Sequence, residues 1–250
     1  MDVRAIASDQ EDPLFHGEYA EGYSFLLKVC PEHLVCARVV AGAIAELPAL
    51  PDHRPYQAIE VGCGSGLSTH LFLSARDDLV IQGFDLAQPM LDQAKDHLKH
   101  DIHSGRLILN QADAYSFMKG AASDSVDLVV SNYAIHNFLE GYRQDFIPEV
   151  IRVLRPGGYF INGDRYGVDD PAQHLAMLQE EVRGYFRVFQ EMNRPDLLEA
   201  WVLHIMGDES LDRVMRLAPS LELMSRSGFE SAEILYRQGI NTVLRARKPA

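Results

Sequence analysis

Glycines occupy alternate positions at Gly62, Gly64 and Gly66, directly after a short apolar segment that contains Glu60. Glycine permits positive φ angles and lets a ligand approach the main chain without meeting a Cβ atom. A helix that begins after such a turn directs its amide groups and the positive end of its dipole towards the ligand. The spacing therefore predicts a nucleoside-binding loop that includes Cys63, with the Glu60 carboxylate accepting hydrogen bonds from a ligand ammonium group.

A second carboxylate follows at a spacing that suits ribose recognition. Asp85 ends the next apolar segment, 19 residues after Gly66, and its oxygens can accept hydrogen bonds from both ribose hydroxyls. A dinucleotide-binding fold also has an acidic residue there, so only the spacing within the glycine loop can distinguish a dinucleotide from a single nucleoside. The dinucleotide pattern needs glycine where Leu67 stands, and Glu60 would repel a diphosphate. The sequence favours a single nucleoside.

The elements that position these residues alternate between short apolar strands and amphipathic helices. Strands are predicted at 58–61, 80–84, 107–110, 126–131 and from 159, and helices at 67–75, 89–100, 115–119 and 143–154. This alternation predicts an α/β fold with a doubly wound, mostly parallel sheet of the Rossmann-like kind. Two further strands at 231–236 and 241–247 form an antiparallel hairpin and complete seven strands. Ligands of such sheets bind outside the carboxyl ends of the strands.

Four parts of the chain are predicted from these changes in pattern. They are an N-terminal helical arm or lid at 1–55, a cofactor-binding core at 56–165, a helical cap at 166–227 and the terminal hairpin at 228–250. Tyr19 and Tyr23 share a helical face in the arm, where they could close over a ligand or simply pack. The cap is expected over the carboxyl edge of the sheet, which would enclose a small substrate.

Candidate catalytic residues follow the fourth and fifth strands. His136 is the first candidate for a general base, since an imidazole titrates near neutral pH. Asp164 could act as a base or bind an amine, Arg165 could hold a substrate carboxylate, and His204 on a cap helix could close over the acceptor. A loop hydrogen bond, a salt bridge and a satisfied core histidine are the structural alternatives for these residues.

Composition narrows the classes of partner. The net charge is −13, from 36 acidic and 23 basic residues, and a negative field repels nucleic acid phosphates. Cys30, Cys36 and Cys63 have no metal or disulfide spacing, and no segment has the pattern of a signal peptide or membrane span. We therefore expect a cytoplasmic protein with a small-molecule partner, without a metal or a membrane anchor. The oligomeric state stays open, with a homodimer as one option.

The order of the motifs resembles that of the class I S-adenosylmethionine-dependent methyltransferases. Residues 60–66, 84–86, 111–114 and 127–132 resemble the first four motifs of that family, and 154–158 resemble the turn before its fifth strand. The resemblance implies S-adenosylmethionine as cofactor, and a methyl acceptor that presents an oxygen, nitrogen or carbon nucleophile. The cofactor-binding residues that the loop and the resemblance imply are Glu60, Gly62, Cys63, Gly64, Gly66, Asp85, Leu86, Met90, Asp113, Ala114, Ser131 and Asn132.

The segments 132–139 and 236–241 are similar to the carboxy-S-adenosylmethionine synthase-like branch, whose product serves tRNA modification. That branch has a basic pair in its cap to bind the extra carboxylate, whereas Gln190 and Glu191 stand here, with Arg194 as a substitute. The departure favours ordinary S-adenosylmethionine and a small-molecule methyltransferase. A synthase of that branch and a non-catalytic nucleoside-binding regulator are the alternatives.

Overall fold

The computed structural model describes residues 26–250, and Tyr19 and Tyr23 lie outside the described residues. Two helices, α1 (Leu26–Val29) and α2 (Glu32–Ala45), precede the first strand. No helix within 26–250 is long and apolar enough to cross a membrane.

Seven strands form one sheet. They are β1 (Tyr56–Val61), β2 (Leu79–Asp85), β3 (Leu107–Gln111), β4 (Val126–Asn132), β5 (Leu154–Arg165), β6 (Ala232–Gln238) and β7 (Asn241–Arg247). Their spatial order is β3-β2-β1-β4-β5-β7-β6. Strands β1 to β5 pair in parallel, and β7 pairs antiparallel with both β5 and β6. The predicted fold class is confirmed, with the winding reversing between β1 and β4.

Helices connect the strands and cover both faces of the sheet. They are α3 (Leu67–Ala75), α4 (Gln88–His97), α5 (Lys99–His103), α6 (Ala114–Gly120), α7 (Glu140–Val153), α8 (Pro171–Glu191), α9 (Pro195–Asp208) and α10 (Leu217–Ser227). The helix predicted at 89–100 is two helices, and α7 ends one residue before the predicted 154. Strand β5 begins at Leu154 because its backbone already pairs with Val126 there, before a shift in register.

Two apolar clusters hold the helices to the sheet. Residues alternate between the faces of a strand, so Val129 packs with Phe146 of α7, while Leu128 and Val130 pack with Phe72 of α3. Helices therefore cover both faces of the sheet, and the loops at its carboxyl edge remain available to form a site.

Helices α8 and α9 form a third cluster, in which Phe189 and Trp201 pack with Val29 of α1. Helix α10, also within the predicted cap segment, contributes Leu223 and Met224 to the cluster around Phe146. The packing thus joins α10 to the sheet, while α8 and α9 pack on each other and on the N-terminal segment. The division into four parts stays a prediction.

Candidate active site

A cavity of about 240 Å³ opens at the carboxyl ends of the strands. The loops after β1, β2, β3 and β4 all contribute to its wall. The predicted cofactor residues that line it are Gly62, Cys63, Gly64, Asp85, Leu86, Met90, Asp113, Ala114 and Asn132. These residues come from distant parts of the chain, and the parallel sheet brings them to one edge.

The glycine loop is held against the end of β2. The Gly64 N–H donates to Oδ2 of Asp85 at 2.9 Å, and the Ala87 N–H donates to Oδ1 at 2.9 Å. Gly62 has φ +66°, and a Cβ there would lie 2.4 Å from the Cβ of Ala134. The main chain of the loop thus approaches the β4 loop closely, which only glycine permits.

Three predicted cofactor residues lie behind the wall. Gly66 begins α3 at φ +85°, and a Cβ there would lie 2.7 Å from Cδ1 of Leu98. The Ser131 hydroxyl donates to the Val61 carbonyl at 3.1 Å, which ties β4 to β1. Glu60 is 1% exposed and its Oε2 has no hydrogen-bond partner among the described residues. Burial raises the pKa of Glu60 to about 8.

Asp113 caps a helix and also lines the cavity. It caps α6 by accepting the Ser116 N–H at 2.9 Å, and it accepts the Tyr142 hydroxyl at 2.7 Å. Both Asp113 and Tyr142 line the cavity. Asp113 therefore caps a helix, and the same carboxylate is still part of the wall.

The end of β4 carries an unusual backbone and an unpaired oxygen. Asn132 donates from Nδ2 to the His33 carbonyl at 3.2 Å and to Ser68 Oγ at 3.1 Å, while its buried Oδ1 has no partner within residues 26–250. Tyr133 follows at φ +56°, a conformation that costs about 1–3 kcal/mol for such a residue. The end of β4 therefore combines a residue at positive φ with a neighbouring side-chain oxygen that is unpaired among the described residues.

The sequence interpretation missed His33. This residue lines the cavity and is 6% exposed, and its ring centroid lies 5.1 Å from that of Tyr133, with the two rings tilted by 56°. Burial lowers the pKa of His33 to about 4, so the ring is neutral at physiological pH, and Nδ1 has no partner among the described residues. A signal existed, because His33 shares the buried face of α2 with Cys36 and Val40.

The predicted catalytic residues form a buried network outside the cavity wall. His136 Nδ1 lies 2.5 Å from Asp164 Oδ1, and Asp164 Oδ2 accepts the Ile135 N–H at 3.0 Å. On its other side, His136 Nε2 lies 3.7 Å from Asp208 Oδ2, which lies 3.4 Å from His204 Nε2. The structure therefore brings three of the four candidates together, away from the cavity surface.

Arg165 continues this network into the cap. Its guanidinium binds Glu181 of α8 at 2.5 Å and 3.1 Å, and lies 3.4 Å from Glu209. Glu209 also lies 2.5 Å from His174 Nε2. The nearby carboxylate of Glu181 keeps the pKa of Arg165 high despite its burial. Arg165 therefore fastens the cap helices to β5, and no acceptor carboxylate is needed to explain it.

Another part of the wall was not predicted. It comes from the segment between β4 and α7, from the first turn of α7 and from the loop between α9 and α10. These residues are Asn137, Phe138, Leu139, Tyr142 and Arg213. Neither segment has a spacing in the sequence that marks it as a ligand contact. Within the described residues, no group of three or more histidine, cysteine or carboxylate side chains could hold a metal ion.

Comparison with known proteins agrees with this geometry. A family model described as a methyltransferase domain matches residues 59–162. The chain is 37% identical over 103 residues to a malonyl-[acyl-carrier protein] O-methyltransferase of Paenibacillus sp., covering 41% of this chain and 36% of that protein. It is 25% identical over 143 residues to a carboxy-S-adenosyl-L-methionine synthase of Actinobacillus succinogenes, covering 55% of each. The chain thus spans about a third to a half of these two relatives.

Among solved structures, an O-methyltransferase family protein from Burkholderia thailandensis has the same fold, with a TM-score of 0.61 at 16% identity. The similarity covers 95% of this chain and 64% of that one.

Proposed function

We propose that this chain, a class I S-adenosylmethionine-dependent methyltransferase by its domain and its fold, methylates a small molecule in the cavity at the carboxyl edge of its sheet. One observation carries the proposal. The glycine loop, Asp85, Asp113 and the end of β4 line one continuous cavity, in the order that a nucleoside extended by an amino acid requires.

The residues present fit the cofactor. Asp85 already accepts two amide N–H groups, but a carboxylate has about four lone-pair positions, so it can also accept ribose hydroxyls. Leu86 and Met90 supply apolar wall, and Asp113 stands beside them. Asn132 also lines the cavity, so its side-chain amide suits a polar group of the cofactor. When bound, the cofactor supplies a methyl group activated by a sulfonium.

Catalysis by the chain would consist mainly of orienting the acceptor and excluding water. Tyr133 and Ala134 would confine the acceptor at the end of β4, where the backbone is rigid. His33 would accept a hydrogen bond from an acceptor O–H or N–H, since burial keeps its imidazole neutral. Because His136 is engaged by Asp164 outside the wall, we assign it to the support of this loop.

The synthase alternative has less support. Gln190 and Glu191 are exposed at the end of α8, and the candidate substitute Arg194 is exposed and binds Asp196 at 2.7 Å. None of these side chains lines the cavity, so the extra carboxylate of a carboxylated cofactor would have no partner among them.

Calorimetric titration with S-adenosylmethionine, S-adenosylhomocysteine and NAD tests the cofactor. We expect the first two to bind and NAD to bind at least a hundredfold more weakly; preferential NAD binding contradicts the proposal. Transfer of a radiolabelled methyl group to a small-molecule library tests catalysis, with Asp85→Ala as the negative control. Tight cofactor binding without transfer to any acceptor would favour the regulator.

A further inference from the structure

Arg213 is a positively charged residue in the wall of the cavity. It lies in the loop between α9 and α10, and its side chain is half-buried. Its guanidinium makes no hydrogen bond or ion pair with another described residue. The other ionisable residues of the wall include two acids, Asp85 and Asp113, which are engaged by backbone amides and a hydroxyl.

The two fully buried arginines among the described residues have partners. Arg165 binds Glu181 with two hydrogen bonds, and Arg143 donates to the carbonyl of Phe138. Removing a charge from water without a partner is costly, so buried charges are normally paired. Arg213 is half-buried, so water can reach part of its guanidinium, and at the surface of a cavity a ligand can take the place of that water.

The backbone around Arg213 is fixed. The Glu140 N–H donates to the Asp212 carbonyl at 2.6 Å, and the Gly167 N–H donates to the Met215 carbonyl at 2.7 Å. The carboxylate of Asp212 accepts the Ser210 hydroxyl at 2.7 Å, and this hydrogen bond, with a smaller through-space contribution from Arg213, lowers the pKa of Asp212. The main chain is therefore hydrogen-bonded on both sides of Arg213, while no described carboxylate accepts a hydrogen bond from its guanidinium.

The surroundings of Arg213 favour a particular class of ligand. Phe138, Leu139 and Tyr142 line the same cavity and offer apolar and aromatic surface. A guanidinium binds a carboxylate through two parallel hydrogen bonds, and the bond is strengthened where water is scarce. An acid with an apolar or aromatic body matches both features.

We infer that Arg213 binds the acceptor, and that the acceptor is a small organic acid whose carboxylate pairs with this guanidinium. The inference rests on the proposed function and names its substrate class. The carboxylate of the cofactor's own amino acid group is a second candidate partner of Arg213. If Arg213 binds the acceptor, its replacement lowers affinity for the acceptor; if it binds the cofactor, its replacement lowers affinity for S-adenosylhomocysteine.

Benzoate and benzamide are suitable probes, because they share a planar aromatic body and differ in charge. The full chain, saturated with S-adenosylhomocysteine, is titrated with each by calorimetry. We expect the dissociation constant of benzoate to be at least tenfold below that of benzamide. In Arg213→Gln the two constants should agree within twofold, while affinity for S-adenosylhomocysteine stays within twofold of the wild type.

Arg226→Gln is the matched control, since Arg226 is exposed on α10 and outside the cavity wall. It should retain the preference for benzoate. The inference is overturned if the wild type shows no such preference, or if Arg213→Gln retains it. A tenfold loss of S-adenosylhomocysteine affinity in Arg213→Gln overturns it too, because Arg213 would then serve the cofactor carboxylate. Repeating the benzoate titration without S-adenosylhomocysteine separates failure of the anion site from failure of the proposed function.

Discussion

The Nδ1 atom of His136 lies 2.5 Å from Oδ1 of Asp164, although neither side chain lines the cavity. Asp164 is fully buried and also accepts the backbone N–H groups of Ile135 and Arg165. The pair therefore joins the loop after β4 to the end of β5. Its geometry resembles that of a base with an orienting acid, but its position is that of a structural link.

His136→Ala tests the nature of this link. The change removes a buried hydrogen-bond partner of Asp164, so we expect the free energy of unfolding to fall by about 1–3 kcal/mol. Urea denaturation measures this, with His103→Ala on the exposed surface as the control. Unchanged stability together with a hundredfold loss of methyl transfer would restore the catalytic role predicted from the sequence.

Asp85→Ala tests the ribose contact. The variant loses the acceptor that orders Gly64 and that the ribose hydroxyls would use. We expect the affinity for S-adenosylhomocysteine to fall by roughly 1–3 kcal/mol, measured by calorimetry. Asp92→Ala, which removes an exposed acid paired with Lys95, should bind like the wild type. Equal affinities in the two variants would exclude the ribose assignment.

Gly66→Ala and Gly64→Ala should separate packing from binding. A Cβ at Gly66 meets Leu98 at 2.7 Å and the residue has φ +85°, so we expect a loss of about 2 kcal/mol in stability. Gly64 also has a positive φ, +52°, but a Cβ there makes only an ordinary contact of 3.6 Å with Met90 Cε, at the cavity wall. Gly64→Ala should therefore lower the free energy of unfolding less than Gly66→Ala does, and should weaken S-adenosylhomocysteine binding more. A reversed order of effects would contradict these positions.

Glu60→Gln should change how stability depends on pH. The folded pKa of about 8 lies above the ordinary value of 4.5, so the folded state retains a proton that the unfolded chain has released. This contribution to stability is complete below pH 4.5 and is lost as the pH rises through 8. The glutamine variant lacks that loss. Relative to the wild type, its free energy of unfolding should therefore rise between pH 5 and pH 9 by on the order of 3 kcal/mol. A constant difference across denaturation curves at these pH values would show that Glu60 is ionised in the fold.

His33→Gln tests the neutral imidazole beside Tyr133. Glutamine preserves a polar side chain but lacks the ring and its acceptor nitrogen, so we expect methyl transfer to fall by at least tenfold for an acceptor that His33 orients through a hydrogen bond. Affinity for S-adenosylhomocysteine should stay within threefold of the wild type. His103→Gln, at an exposed histidine outside the cavity wall, is the control. A loss of cofactor affinity that equals the loss of transfer would assign His33 to cofactor binding instead.

The sequence alone determined the strands of the sheet and the carboxyl edge at which the cavity lies. The apolar segments, their spacing and the glycine loop are local patterns, and parallel strands necessarily bring their carboxyl ends together. Gly62, Gly64, Asp85 and Asp113 could therefore be located without coordinates, and all four line the cavity. A family model described as a methyltransferase domain matches residues 59–162, in agreement with the family resemblance.

Only the tertiary structure decided which side chains line the cavity. Ser131 and Asn132 are neighbours in β4, yet one hydroxyl binds a strand and the other side chain reaches the cavity. His136 is hydrogen-bonded to Asp164 and does not line the cavity. The two residues belong to different loops and strands, so no local spacing reveals this pairing. His33 and Arg213 enter the wall from opposite ends of the chain, and their partners or lack of partners depend on packing between distant segments.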